Sequence, residues 1–226
     1  MSGSFEVKRA EELLDAEFIA KWQDRKAIDP LARTVLQAIL ERLIAAGRPV
    51  SAEEVSGLLR AHEPAEVYKA IARLDEKDLI LAQDGQVILA YPFSATPTAF
   101  QLVFADGREL YAVCAIDALG VPAMVDQAVT IRSICHHCGE PLEIFVRPDG
   151  PVGGAGIMVW VGERGDLRRK ACTSICLTLN FFQSEEHLRG WREVHPDVLG
   201  AAATLDEAFK LGAKIFGELL RDVLRA

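Results

Sequence analysis

The most constraining stretch of the 226-residue chain is Leu110–Leu119, LYAVCAIDAL. It sets a thiol, Cys114, three residues before a carboxylate, Asp117, inside an otherwise apolar run. Any fold this chain adopts has to bury that run. One helical turn, or a tight bend after a strand, aims both polar groups into the same space. A carboxylate is rarely buried without a partner, so the run points to a pocket with a use rather than to plain core.

The rest of the composition narrows the class. Half of the residues are hydrophobic and about a quarter charged, as in soluble globular proteins. No apolar run reaches bilayer-spanning length. The N-terminus, MSGSFEVKRAEELLDAEF, is amphipathic and acidic and lacks the basic-then-apolar pattern of a secretory signal. The expected location is therefore cytoplasmic, with no membrane partner. The net charge of −8 and a pI near 5.2 argue against a polyanionic partner for the chain as a whole. The five cysteines, Cys114, Cys135, Cys138, Cys172 and Cys176, all lie in the second half. In a reducing compartment such a cluster means metal binding or thiol chemistry more often than disulfides.

Residues 1–29 read as a leading amphipathic helical extension, with Phe5, Leu13, Leu14, Phe18, Ile19 and Trp22 on one side. Pro30 opens a second helix and Gly47 stops it. Ser51 with Glu54 forms a capping box for a third, and Glu63-Pro64 starts a fourth. Short β-type runs at Leu79–Leu81 and Val87–Ala90 flank Asp84-Gly85, a hairpin signal. Three helices and a hairpin give residues 30–95 the order of a winged helix-turn-helix, which the segment resembles. Its candidate recognition helix carries Lys69 and Arg73 against Glu63, Glu66, Asp75, Glu76 and Asp78. That charge balance argues against DNA binding and favours a packing module.

From residue 96 to 226 the pattern changes. Phe100–Phe104, Leu110–Val113, Val129–Ile134, Leu142–Val146 and Ile157–Val161 read as strands. Leu177–Phe182 reads as strand or helix. Ser184 and the Thr204/Glu207 capping box open later helices. The expected class is α+β, with a β-rich core and C-terminal helices behind a helical module.

Two thiolates hold a soft ion such as Hg(II) well, and their electron donation weakens a carbon–mercury bond on that ion. Cleavage then needs a proton on the departing carbon. A carboxyl group in an apolar pocket has a raised pKa and can carry that proton. Cys114, Asp117 and Cys176 therefore match protonolysis of an organometal, although spacing alone does not bring Cys176 to the other two.

The segment Leu110–Leu119, followed by Val121-Pro122-Ala123, resembles the catalytic segment of the alkylmercury (organomercurial) lyases. Phe104-Ala105-Asp106-Gly107-Arg108 upstream is similar to that family. So is Cys176 with Phe181-Phe182 and Ser184 after it, as are Trp191, His195-Pro196 and Glu207–Gly212. The resemblance implies that Cys114 and Cys176 bind mercury and that Asp117 shuttles the proton. It implies a hydrocarbon and Hg(II) as products, with the product ion held by Cys114, Asp117 and Cys176. It also implies no organic cofactor. The implied partners are an organomercurial substrate, low-molecular-weight thiols and a mercury-accepting thiol protein. The chain departs from the family at Leu177, where a second cysteine is usual, at Val113, and at Cys172 and Cys138.

Cys135-His136-His137-Cys138-Gly139 reads as one knuckle of a zinc ribbon. Cys172 and Cys176 are the candidates to complete a four-thiol site with Cys135 and Cys138, and His136 or His137 could substitute for one of the ligands. Such a site competes with the lyase set for Cys176. It would make the chain a metal-binding winged-helix regulator, or a lyase-like protein holding zinc or copper. His62, His187 and His195 read as surface or capping residues. Arg164, Arg168, Arg169 and Lys170 read as a solvated basic loop.

Overall fold

A computed structural model describes residues 5–14, 27–163 and 169–217. Residues 5–9 run extended, and Val7 makes a parallel bridge to Ala202. Helix α1, Ala10–Leu13, follows. The expected leading helix is thus replaced at its start by backbone bonding. Lys8 N–H donates to the Ala202 carbonyl at 2.8 Å, and Ala202 N–H to that of Glu6 at 2.9 Å. Phe18, Ile19 and Trp22 of that expectation lie outside the described residues.

Helix α2 (Pro30–Ala46) starts on Asp29, whose side chain accepts from Ala32 N–H, and ends at Gly47 in the left-handed region. Strand β1 (Val50–Ser51) leads into α3 (Ala52–Leu58), capped by the Ser51 side chain. Helix α4 (Pro64–Glu76) comes next, and then the hairpin of β2 (Ile80–Gln83) and β3 (Gln86–Ala90). The order read from the sequence for residues 30–90 is present, but the sheet does not stop there. Strand β4 (Phe93–Ser94) pairs with β3 on one side and with β6 (Glu109–Ala112) on the other. The main sheet runs β1-β3-β4-β6-β5-β7-β8-β9, with β2 also on β3. Here β5 is Gln101–Phe104, β7 Val129–Ile134, β8 Pro141–Arg147 and β9 Gly150–Val152. Residues on both sides of the Pro97 linker therefore share one sheet.

The register explains which face is core. Leu110 pairs with Leu102, Leu102 with Ile131, and Ile131 with Ile144, and all four are buried. Period-two alternation keeps the intervening residues of β7 and β8 toward solvent. Helix α5 (Ala115–Val125) follows β6, is apolar and buried on nearly every side, and packs on β6, β7 and β8. Such a helix belongs inside the molecule. Its other side meets α7 (Leu205–Phe216). The two backbones approach so closely at Gly120 and Gly212 that a Cβ on Gly212 would lie 2.5 Å from the Ile116 carbonyl oxygen.

A second, three-stranded sheet has the order β11-β10-β12, formed by β10 (Met158–Gly162), β11 (Asn180–Phe182) and β12 (Gly200–Thr204). Between β10 and β11 lie two 3-10 turns, Ala171–Thr173 and Ile175–Thr178. Helix α6 (Glu185–Val194) follows β11, capped by Ser184. The α+β class holds. Strand β12, Gly-Ala-Ala-Ala-Thr, carries no local strand signal. It is a strand because it pairs with β10 along its whole length, a tertiary effect that outweighs propensity.

Candidate active site

Cys114 is the residue before α5, with an extended backbone (φ −150°, ψ 179°). Asp117 stands in the first turn of the helix, so the two side chains meet across one turn. The Cys114 thiol donates to Asp117 Oδ2 at 2.8 Å, and the Cys114 backbone N–H also bonds the carboxyl. Both residues are buried, as is Cys176. The two sulfurs and a carboxyl oxygen of Asp117 all lie within 4.8 Å of one another.

Cys176 arrives from a different sheet, and backbone contacts explain how. The Ala115 N–H, at the start of α5, donates to the Leu179 carbonyl at 3.1 Å. This ties the helix that carries Asp117 to the end of the turn that carries Cys176. The other end of the turn is held by residues 75–91. Lys170 Nζ pairs with Asp75 Oδ1 at 2.8 Å. The Ala171 N–H donates to Asp78 Oδ2 at 3.0 Å and the Cys172 N–H to the Tyr91 hydroxyl at 2.7 Å. Tyr91 in turn donates to Asp78 Oδ1 at 3.4 Å. Lys170, read as part of a solvated basic loop, is instead an anchor. Arg169 bonds the Thr173 carbonyl, and Arg164 and Arg168 lie outside the described residues. Tyr91, Asp78 and Asp75 carry no local sequence signal for this role, because each acts on residues about 80 to 95 positions away.

Burial dominates the electrostatics. It raises the Asp117 carboxyl to about 7, while the bonds from Cys114 pull the other way and only partly offset it. Burial also pushes the Cys114 thiol well up, reinforced by its bond to Cys176 and by the neighbouring Asp117. The Tyr91 phenol is raised as well, by burial first and then by Cys176, Asp78 and Cys172, so it stays a neutral hydroxyl. Near neutrality the Cys114 thiol therefore keeps its proton and points it at a carboxyl poised to gain or lose one, beside a second sulfur. A soft ion bridging the sulfurs would sit next to that proton.

The competing four-thiol set is not formed. Cys135 and Cys138 group with His187, whereas Cys176 groups with Cys114 and Asp117. The physical reason is that Cys135 sits at the far end of β7, against β11 and α6. There the His136 N–H bonds the Phe181 carbonyl and the Gln183 N–H points at the Cys135 sulfur. Cys172 is half-buried beside Tyr91, and burial raises its thiol. His187 is therefore not a plain surface residue: its Nδ1 lies 3.4 Å from Cys135 Sγ. His195 does cap α6, with its ring stacked on Trp191. Leu177, in place of the second cysteine, is exposed.

Residues 93–217 match the family described as alkylmercury lyase. That span is more than half of the chain and contains the whole Cys114, Asp117, Cys176 set. The chain belongs to the alkylmercury lyase family. It is 30% identical over 198 residues to an alkylmercury lyase of Bacillus cereus, covering 85% of this chain and 79% of that one. It is 29% identical over 191 residues to an alkylmercury lyase of Streptomyces lividans, covering 80% and 81%. The fold is similar to the crystal structure of the mercury-bound form of MerB2, with a TM-score of 0.77 and 23% identity over 91% of this chain and all of that one. As a member of this family the chain is an enzyme of the carbon–mercury lyase class. Among the described residues no helix is long and apolar enough to cross a membrane.

Proposed function

We propose that this protein cleaves R–Hg(+) to R–H and Hg(II), with Cys114 and Cys176 as the mercury ligands and Asp117 as the proton carrier. The observation that carries this reading is the 2.8 Å bond from the Cys114 thiol to Asp117 in a buried pocket shared with Cys176. When Cys114 takes the mercury, its proton passes to Asp117 along that bond. The Cys176 thiol gives its own proton to the low-molecular-weight thiolate that delivered the organomercurial, as its sulfur completes the nearly linear pair. Asp117 then gives its proton to the departing carbon, the carbon–mercury bond breaks, and Hg(II) remains on the two thiolates. A carboxyl group at about 7 is well matched to accepting and returning a proton near neutrality.

In this reading the reaction requires no organic cofactor. Low-molecular-weight thiols deliver the organomercurial and remove Hg(II), and a mercury-accepting thiol protein is a further destination for the ion. The setting is cytoplasmic. Residues 96–226 form the catalytic domain. The winged-helix-like residues 30–95 act through Asp75, Asp78 and Tyr91 to seat the Cys176 turn, not as a reader of DNA. Residues 1–29 are an extension. The test is to incubate the purified protein with an organomercurial and excess thiol, then measure hydrocarbon release. Release well above that of Cys114→Ser is expected; equal release would sink the reading.

A further inference from the structure

Outside the Cys114 pocket, a second set of soft donors converges where the β7–β8 connection meets α6. Cys135 Sγ, Cys138 Sγ and one His187 ring nitrogen all lie within 4.8 Å of one another. Ligand atoms on a tetrahedral zinc stand roughly 3.5–4 Å apart, given metal–ligand bonds of about 2.0–2.3 Å. The Cys135–His187 separation of 3.4 Å is already close to that spacing. Neither cysteine is in a disulfide.

The loop is built as a knuckle around one sulfur. Gly139 takes a positive φ of 78°, which lets the chain turn back. The Gly139 N–H then bonds the Cys135 carbonyl, and the Cys135 N–H bonds the Glu140 carbonyl, each at 2.8 Å. The Gln183 backbone N–H approaches the Cys135 sulfur at 3.4 Å, as does the His187 ring. His187 is held from the other side by α6, where its N–H bonds the Ser184 cap at 3.2 Å.

A second imidazole stands beside the set, outside the 4.8 Å within which the other three donors meet. The His137 ring packs on the bare backbone of Gly190, where a Cβ would stand 3.0 Å from ring carbon Cε1 and 3.1 Å from Nε2. Its ring centre is 5.4 Å from that of His187. Glycine at 190 thus makes room for a second imidazole beside the first. The set is separate from the lyase pocket, because it shares no residue with Cys114, Asp117 and Cys176.

We propose that Cys135, Cys138 and His187 bind a structural zinc ion, with the neighbouring His137 ring closing on it as fourth ligand, and that the ion staples the β7–β8 loop to α6. Two thiolates and neutral imidazoles balance the charge of a divalent cation. The ion joins segments about 50 positions apart in the chain. Because β11 lies between them in sequence and carries Phe181 and Phe182 into the core, the staple also steadies the strand that follows the Cys176 turn.

The experiment uses the full chain, purified under reductant without chelator and reconstituted with zinc, then analysed for metal by mass spectrometry. One zinc per chain is expected in the wild type and in Cys176→Ser. Loss of zinc is expected in Cys138→Ser, an exposed position whose replacement does not disturb the core, and in His187→Ala. Cobalt substitution should give the intense visible bands of tetrahedral thiolate coordination in the wild type and in Cys176→Ser, but not in Cys138→Ser or His187→Ala. Chelator should lower the unfolding midpoint of the wild type and leave that of Cys138→Ser unmoved. Zinc-free wild type after reconstitution would overturn the proposal. So would a Cys135–Cys138 disulfide in the reduced preparation, or zinc that survives Cys138→Ser and disappears in Cys176→Ser. Since no organomercurial enters these measurements, the result is independent of the lyase reading.

Discussion

Replacing Asp117 by asparagine isolates the cost of burying the carboxylate. The unfolded chain loses this proton near the ordinary value of 3.8, while the folded chain holds it to about 7. Between those values the folded state binds more protons than the unfolded state, so raising the pH favours unfolding. The destabilisation is absent below about 3.8, grows across the interval, and is complete above about 7. At about 1.4 kcal/mol per pKa unit, the full effect is about 4 kcal/mol. The asparagine side chain keeps the shape and can accept the Cys114 thiol proton, but it does not ionise. The stability difference between Asp117→Asn and wild type should therefore swing by about 4 kcal/mol in favour of the variant from pH 4 to pH 8. Urea titrations at a series of pH values, under reductant and without mercury, measure it. The carboxylates held below their ordinary values by hydrogen bonds, such as Glu54 and Asp106, are common to both proteins and cancel in the difference. A difference that stays flat between pH 5 and pH 8 would refute the raised carboxyl and the proton-carrier role built on it.

Four further outcomes are expected. Asp117→Asn should lose hydrocarbon release by about 10²–10⁴-fold, the usual range for a positioned acid, while still binding Hg(II) in a thiol-competition assay. Cys176→Ser should fall to the background rate, because a hydroxyl is a hard ligand for a soft ion; single-turnover assays would reveal any retained cleavage. Tyr91→Phe leaves the Cys172 N–H without its 2.7 Å partner and should cost about 1–3 kcal/mol, read by urea unfolding. Its lyase rate should drop through the loosened Cys176 turn. Gly212→Ala places a methyl 2.5 Å from the Ile116 carbonyl oxygen and 2.8 Å from the Gly120 nitrogen. It should destabilise by about 1–3 kcal/mol or more, and a midpoint equal to wild type would contradict the close α5–α7 packing.

Much of this architecture is local and therefore readable from residue order. Pro30, Gly47, Ser51, Ser184 and Thr204 mark helix ends, because caps act on neighbouring amides. The strand Val129–Ile134 stands where its alternation put it. The Cys114–Asp117 contact was legible for the same reason, since residues three apart on one helical turn fall together whatever surrounds them. Residues 5–9 and β12 were not legible. Their backbones are decided by partners almost 200 positions away for Val7 and about 40 for β12.

The ownership of Cys176 marks the boundary between the two kinds of information. By itself the sequence determined which thiols exist, that one stands a helical turn from a carboxylate, and that a Cys-x-x-Cys knuckle competes for a partner. Only the tertiary structure decided that Cys176 turns toward Cys114 and that His187 goes to Cys135 and Cys138. The reason is physical. Soft-donor chemistry is nearly the same at all five cysteines, so it carries no preference among pairings. The choice rests on backbone bonds such as Ala115 to Leu179 and Cys172 to Tyr91, which form only when the two sheets pack.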